Sequence, residues 1–275
     1  MDLSHRLRIT LAASLAIAAG AAVAAPPALA DHPLEPDLVT VKLNQRDLRM
    51  QINKKGPQLR LTNEVGNRGD GPFEVFPGTE TDTCEGNAKF EVGRKAFQRV
   101  FTDFNDSDGG FDRDVDQAWS QDDAGCMQYH PPHNHWHVLD FAKYTLLHEP
   151  SGKLAASGGK VGFCLYDLND PFPEIPVSDD DRFYTPAGCS SSSKTPPSLE
   201  GISVGFSDVY TTGTPGQGIN VHHLAKGRYC LVSEADPTDT LVETVDDNNT
   251  AEARIRMNPK RLKVEKLSND CAATR

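Results

Sequence analysis

Apolar and polar residues alternate with period two along several short stretches of this chain. Leu48, Met50 and Ile52 alternate with Arg49, Gln51 and Asn53; Leu59 and Leu61 bracket Arg60; Ala251, Ala253, Ile255 and Met257 alternate with Glu252, Arg254 and Arg256. Successive side chains of a strand leave from opposite faces, so each pattern buries one face and solvates the other. Beyond the first thirty residues no stretch of about twelve carries the 3.6-residue stripe of an amphipathic helix. Turn formers such as Asn67-Arg68-Gly69-Asp70-Gly71-Pro72 separate the alternating runs. The expected fold is all-β, an antiparallel β-sandwich-like single domain with long loops. Residues 102–116 hold six aspartates with Asn105 and Ser107. An EF-hand register fails there, because Phe104 and Val115 fall where the first ligand and the closing Glu belong, so a solvated acidic loop is expected. Residues 168–198, rich in Pro, Ser and Asp, are expected to form a long surface excursion.

The first thirty residues follow a different rule. Arg6 and Arg8 precede an apolar run from Ile9 to Ala25, which ends at Ala28-Leu29-Ala30 before Asp31. This is the pattern of a secretory signal with a small-residue cleavage site, and 1–30 is expected to be removed, leaving 31–275 as one domain. A membrane anchor is the competing reading, but the run sits near the lower limit of the roughly 20 apolar residues a spanning helix needs. Removal takes Asp2, Arg6 and Arg8 with it and moves the net charge from −11 to −12. An acidic surface argues against nucleic acid and anionic lipid as partners and suits a cationic substrate. All six cysteines lie beyond the signal, and an even count in an exported chain points to three disulfides. Of the possible connectivities, pairing of sequence neighbours is expected: Cys84–Cys126, Cys164–Cys189 and Cys230–Cys271.

The chemistry concentrates in His130-Pro131-Pro132-His133-Asn134-His135-Trp136-His137, which holds four of the nine histidines. On a strand, His133, His135 and His137 leave from one face. Imidazoles suit copper, zinc or nickel rather than calcium or magnesium. A straight strand would set the outer two Cα atoms about 13 Å apart, so the chain has to curl or bulge to bring the three onto one ion. A competing scheme takes His133 and His135 with His222 or His223 as a hydrolytic zinc site, but no Glu adjoins the cluster to activate water.

The order of motifs resembles that of the lysyl oxidases. His133-Asn134-His135-Trp136-His137 is followed by Asp140-Phe141 and Tyr144-Thr145-Leu146-Leu147. Then come Gly158-Gly159-Lys160-Val161-Gly162-Phe163-Cys164-Leu165, Gly201 to Gly205, and Asp208-Val209-Tyr210. The resemblance implies a secreted copper amine oxidase acting on primary amines or protein lysine. It also implies a lysine tyrosylquinone cofactor built from Lys160 and Tyr210, the carbonyl type of cofactor that takes up substrate amines. Residues 31–275 would then be a lysyl-oxidase-like catalytic domain of a member without propeptide or scavenger-receptor modules. The family's structural calcium site has counterparts in Asp37 and the Leu38 carbonyl, and in Glu243, Asn248 and Asn249. Val245 stands where the family has an Asp.

One departure bears on mechanism. Lys143 occupies the place of a histidine assigned in the family as a base, with Asp140 and His130 as other candidates. A lysine accepts a proton only when burial or a nearby cation lowers its pKa. A non-catalytic copper-binding protein of the same fold is therefore the alternative, with a zinc hydrolase behind it.

Overall fold

The alternating stretches form strands at Leu48–Asn53, Gly56–Leu61 and Thr250–Asn258. Leu48, Met50, Leu59, Leu61, Ala251, Ala253, Ile255 and Met257 are all buried. Ile52 is exposed, because its strand runs out past the core towards the turn at 54–55. The computed structural model describes residues 32–79, 84, 93–104, 110–158 and 162–271, all within the unit Asp31–Arg275. The expected signal segment and Lys160 lie outside the described residues.

Four antiparallel sheets make up the described chain. The central one runs Gly162–Phe163, His135–Leu139, Trp119–His130, Gly93–Thr102, Phe73–Pro77, Glu200–Ile202, with Pro33–Leu34 added beside Gly93–Thr102. A second holds Leu154–Ser157, Ala142–His148, Gly227–Ala235, Thr250–Asn258 and Lys263–Ser268. Two three-stranded sheets complete the set, one of them Ser207–Tyr210, Asn63–Asn67 and Leu38–Thr40.

Aromatic rings knit these layers together. Phe73 stacks on Phe141 at 5.7 Å between centroids, Phe141 meets Phe163 at 5.7 Å, and Phe163 meets Tyr210 at 4.7 Å. Phe73, Phe141 and Phe163 are fully buried, and each such side chain contributes about 1.5–3 kcal/mol of transfer free energy. The disulfides are Cys84–Cys126, Cys164–Cys189 and Cys230–Cys271, with Cα separations of 5.9, 5.6 and 5.7 Å. The neighbour pairing expected from the sequence is thus the one observed.

The excursion over 168–198 is anchored rather than loose. The Asp167 carboxylate accepts hydrogen bonds from the backbone N–H groups of Phe183, Tyr184 and Ser203 and from the Ser203 hydroxyl. Phe172 and Tyr184 are buried. Among the described residues of the acidic stretch, Asp112 and Asp114 are exposed while Asp103 and Asp116 are buried. Asp116 is buried and accepts the backbone N–H groups of Phe104 and Asp112, which spends its charge on closing the loop. Among the described residues no helix is long and apolar enough to cross a membrane.

Candidate metal centre

The histidines sit at the end of a hairpin. Strands Trp119–His130 and His135–Leu139 pair with His130 opposite His135, Tyr129 opposite Trp136 and Gln128 opposite His137. Between them Pro131–Asn134 turns the chain, with the His133 and Asn134 amides donating to the His130 carbonyl. Asn134 takes φ 58°, a left-handed conformation that asparagine tolerates well, and its side chain accepts from the Tyr129 hydroxyl at 2.8 Å.

This turn solves the spacing problem differently from the expected curled strand. His133 is not on the strand with His135 and His137 but on the turn, folded back over them. Its Nδ1 lies 3.4 Å from His137 Nε2. Two nitrogens bound to one ion at about 2.0–2.1 Å in tetrahedral geometry are about 3.4 Å apart, so this separation fits a shared cation as well as a hydrogen bond. Cross-strand pairing also brings in His130. Ring nitrogens of His130, His133 and His137 all lie within 4.8 Å of one another. The His135 ring is 4.9 Å from that of His137 and 5.7 Å from that of His133. His137 is buried while the other three are partly exposed, so the cluster has a closed floor and an open mouth.

Its floor is shaped by Gly162, which pairs with Leu139, two residues beyond His137 on the same strand face. A Cβ on Gly162 would stand 2.9 Å from His137 Cβ and 3.1 Å from His137 Nδ1. On the opposite face of the hairpin Trp136 is fully buried and its indole N–H donates to the Ser192 carbonyl at 2.9 Å. Residues 186–195 of the excursion therefore buttress the back of the histidine hairpin.

Tyr210 belongs to another sheet and meets the chain just after Gly162–Phe163, the strand that pairs with His135–Leu139. Its hydroxyl accepts the Cys164 N–H at 2.7 Å and donates to the Cys164 carbonyl at 2.9 Å. Burial first, and the charge of Asp208 second, push its pKa well above the ordinary phenol value. Tyr144, buried and bonded to the Gln217 side chain, is raised for the same leading reason. Asp208 is buried two residues before Tyr210 on the same strand face. Gly158 packs on the Tyr144 ring and Gly162 on His137.

Other expected site residues lie elsewhere. Lys143 is exposed between buried Ala142 and Tyr144, opposite Glu234 on the outer face of the five-stranded sheet. Asp140 is exposed at φ 54° and lines a cavity of about 210 Å³ with Asp236 and Leu241. His222 bonds to Asn220 and His223 to the Ala155 carbonyl.

The oxygen-rich set does converge. Asn248 donates to the Asp37 carboxylate at 2.8 Å, Asn249 donates to Glu243 Oε1 at 2.9 Å, and the Leu38 N–H donates to Glu243 Oε2 at 2.6 Å. The side-chain oxygens of Asn248 and Asn249 are buried without a hydrogen-bond partner among the described residues. Burial pushes the Glu243 carboxyl up to about 8. Buried acceptors of this kind, beside two carboxyl groups, fit a hard cation such as calcium.

These features define a class: an antiparallel, disulfide-stapled β protein with a hairpin-borne histidine cluster suited to a transition metal. The lysyl oxidase family model matches residues 118–267, more than half of the chain, and the chain belongs to the lysyl oxidase family. It is 29% identical over 129 residues to lysyl oxidase homolog 1 of Homo sapiens, 46% of this chain and 20% of that protein. It is 27% identical over 135 residues to lysyl oxidase homolog 4 of Mus musculus, 49% of this chain and 16% of that protein. The chain thus matches a fifth or less of the length of these relatives.

Proposed function

We propose that this chain is a secreted copper- and quinone-dependent amine oxidase. It would convert primary amines, peptidyl lysine among them, to aldehydes with O2 and release H2O2 and NH3. The observation that carries the reading is the set of imidazoles at the hairpin end, with His133 and His137 nitrogens 3.4 Å apart, and a buried tyrosine bonded to the peptide that follows the neighbouring strand Gly162–Phe163. In this reading His133, His135 and His137 hold Cu2+, with His130 packed beside them. Lys160 and Tyr210 form the lysine tyrosylquinone, and the two groups together supply an electrophilic carbonyl and its reoxidation by O2.

The chain's own residues orient and enclose. The Cys164 peptide fixes the Tyr210 oxygen, and Phe163 packs edge-on to its ring. Of the groups considered for taking the substrate's α-proton, His130 is the one packed within the cluster. Asp140 and Lys143 both face solvent. Asp37, the Leu38 carbonyl, Glu243, Asn248 and Asn249 would hold a structural calcium that ties the first strands to the last.

Mass spectrometry of protein produced with copper tests the reading. A covalent link between the peptides carrying Lys160 and Tyr210 is expected, and amine-dependent peroxide release should vanish in Lys160→Ala. Absence of the link from fully copper-loaded protein would sink the oxidase proposal.

A further inference from the structure

Both backbone polar groups of Cys164 are committed to the Tyr210 hydroxyl. The next residue is held just as firmly from another strand. The Leu165 N–H donates to Glu200 Oε2 at 3.1 Å, and the Leu165 carbonyl accepts the Gly201 N–H at 3.2 Å. Glu200 also lies against the disulfide that tethers Cys164, with a carboxyl oxygen within 4.8 Å of both sulfurs. Its side chain is 1% exposed, and its other oxygen, Oε1, has no hydrogen-bond partner among the described residues.

A half-satisfied buried carboxyl is a costly way to fill this space, and an apolar side chain would fill it more cheaply. What the carboxyl adds is an acceptor for the Leu165 N–H. Burial first, with the charge of Asp208 adding to it, pushes this carboxyl well above the usual range and favours its uncharged form, and Gln keeps its shape and its acceptor oxygen.

We infer that Glu200 is a positioning residue for Tyr210: it holds the Leu165 peptide and thereby fixes the adjoining Cys164 peptide that anchors the tyrosine hydroxyl. The geometry stands by itself, whereas its consequence for catalysis rests on the reading of Tyr210 as the quinone precursor. Through this clamp the ring is kept at one place and one angle while it is modified.

The test uses the full chain labelled with 13Cζ-tyrosine, first without copper. In wild type and Glu200→Gln the Tyr210 resonance, assigned with Tyr210→Phe, should not titrate up to about pH 10, the ordinary phenol range. In Glu200→Ala and Glu200→Met it should shift towards exposed tyrosines and titrate. With copper, the latter two should form the Lys160–Tyr210 link about tenfold more slowly, since small misplacements of reacting groups are costly in rate, while Glu200→Gln should stay close to wild type. An unmoved Tyr210 resonance in folded Glu200→Ala or Glu200→Met overturns the inference. Amide exchange in Tyr210→Phe gives an independent check. Cys164 should exchange faster and Leu165 should stay protected; collapse of Leu165 protection would mean that Tyr210 holds the peptide and Glu200 does not. If wild type never forms the link, the quinone reading fails, while the resonance and exchange measurements still decide the role of Glu200.

Discussion

Gly162 sets the tolerance of the candidate centre at the scale of one residue. With its Cα facing the His137 ring, a methyl group there would stand 2.9 Å from His137 Cβ, closer than such atoms approach. Gly162→Ala should therefore push the imidazole aside and weaken copper binding about 10–100-fold, as loss of ligand-orienting contacts does. Titration against a competing chelator measures this, and an unchanged affinity would show that His137 is not a ligand. The histidines themselves should separate in the same assay. His133→Ala, His135→Ala and His137→Ala should each lose stoichiometric copper, whereas His130→Ala should weaken it and keep it bound. Loss of copper in His130→Ala with retention in His135→Ala would reassign the third ligand to the set whose nitrogens lie closest together.

At the scale of elements, the histidine hairpin explains what could and could not be read from the chain. Strands with strict alternation, such as Thr250–Asn258, were legible because one face is buried and the other solvated. Trp119–His130 was not, because Ser120 to Asp123 are polar without alternation and Gly125 at φ 71° interrupts the strand. The period-two spacing of His133, His135 and His137 pointed to one face, yet the decisive contact is made by a turn. Pro131-Pro132 and Asn134 were its signal, since prolines disfavour continued strand pairing and asparagine accepts positive φ. The His130–His135 pairing depends on register between two strands, which spacing within one segment does not encode. Clamps such as Asp167 and Glu200 were equally invisible, because a lone buried carboxyl looks like a surface acid until its donors are placed. The excursion behind the hairpin gives a prediction at this scale. Trp136→Phe keeps the ring packing but leaves the Ser192 carbonyl without its donor, which should cost about 1 kcal/mol. Hydrogen exchange should rise over residues 190–195; uniform protection there would show that the indole bond does not anchor the loop.

At the scale of the whole molecule, stability depends on buried carboxyl groups in two ways. Glu200 has a raised pKa in the folded chain against an ordinary 4.5, so its contribution is fully present below that value and fades as pH rises towards its folded pKa. Denaturant midpoints of wild type relative to Glu200→Gln should thus fall as pH rises above about 5, and parallel curves would contradict a carboxyl whose pKa burial has raised. The oxygen cluster joins parts of the chain that are far apart in sequence. Asp37 and Leu38 meet Asn248 and Glu243 across separations of 211 and 205 residues. An ion held there would join the first described strands to the approach of Thr250–Asn258 and close a loop containing the whole histidine site. A ligand that binds the folded state and not the unfolded one stabilises it by about 2.7 kcal/mol at a hundredfold excess over its Kd. Calcium should therefore raise the melting temperature in a saturable way, magnesium should do so less because it demands tighter octahedral geometry, and Asp37→Asn should abolish the response. Since the two metal sets share no residue, the same calcium titration should leave copper stoichiometry unchanged. A calcium-insensitive melting temperature in wild type would leave Asp37, Glu243, Asn248 and Asn249 as a hydrogen-bonded latch that works without an ion.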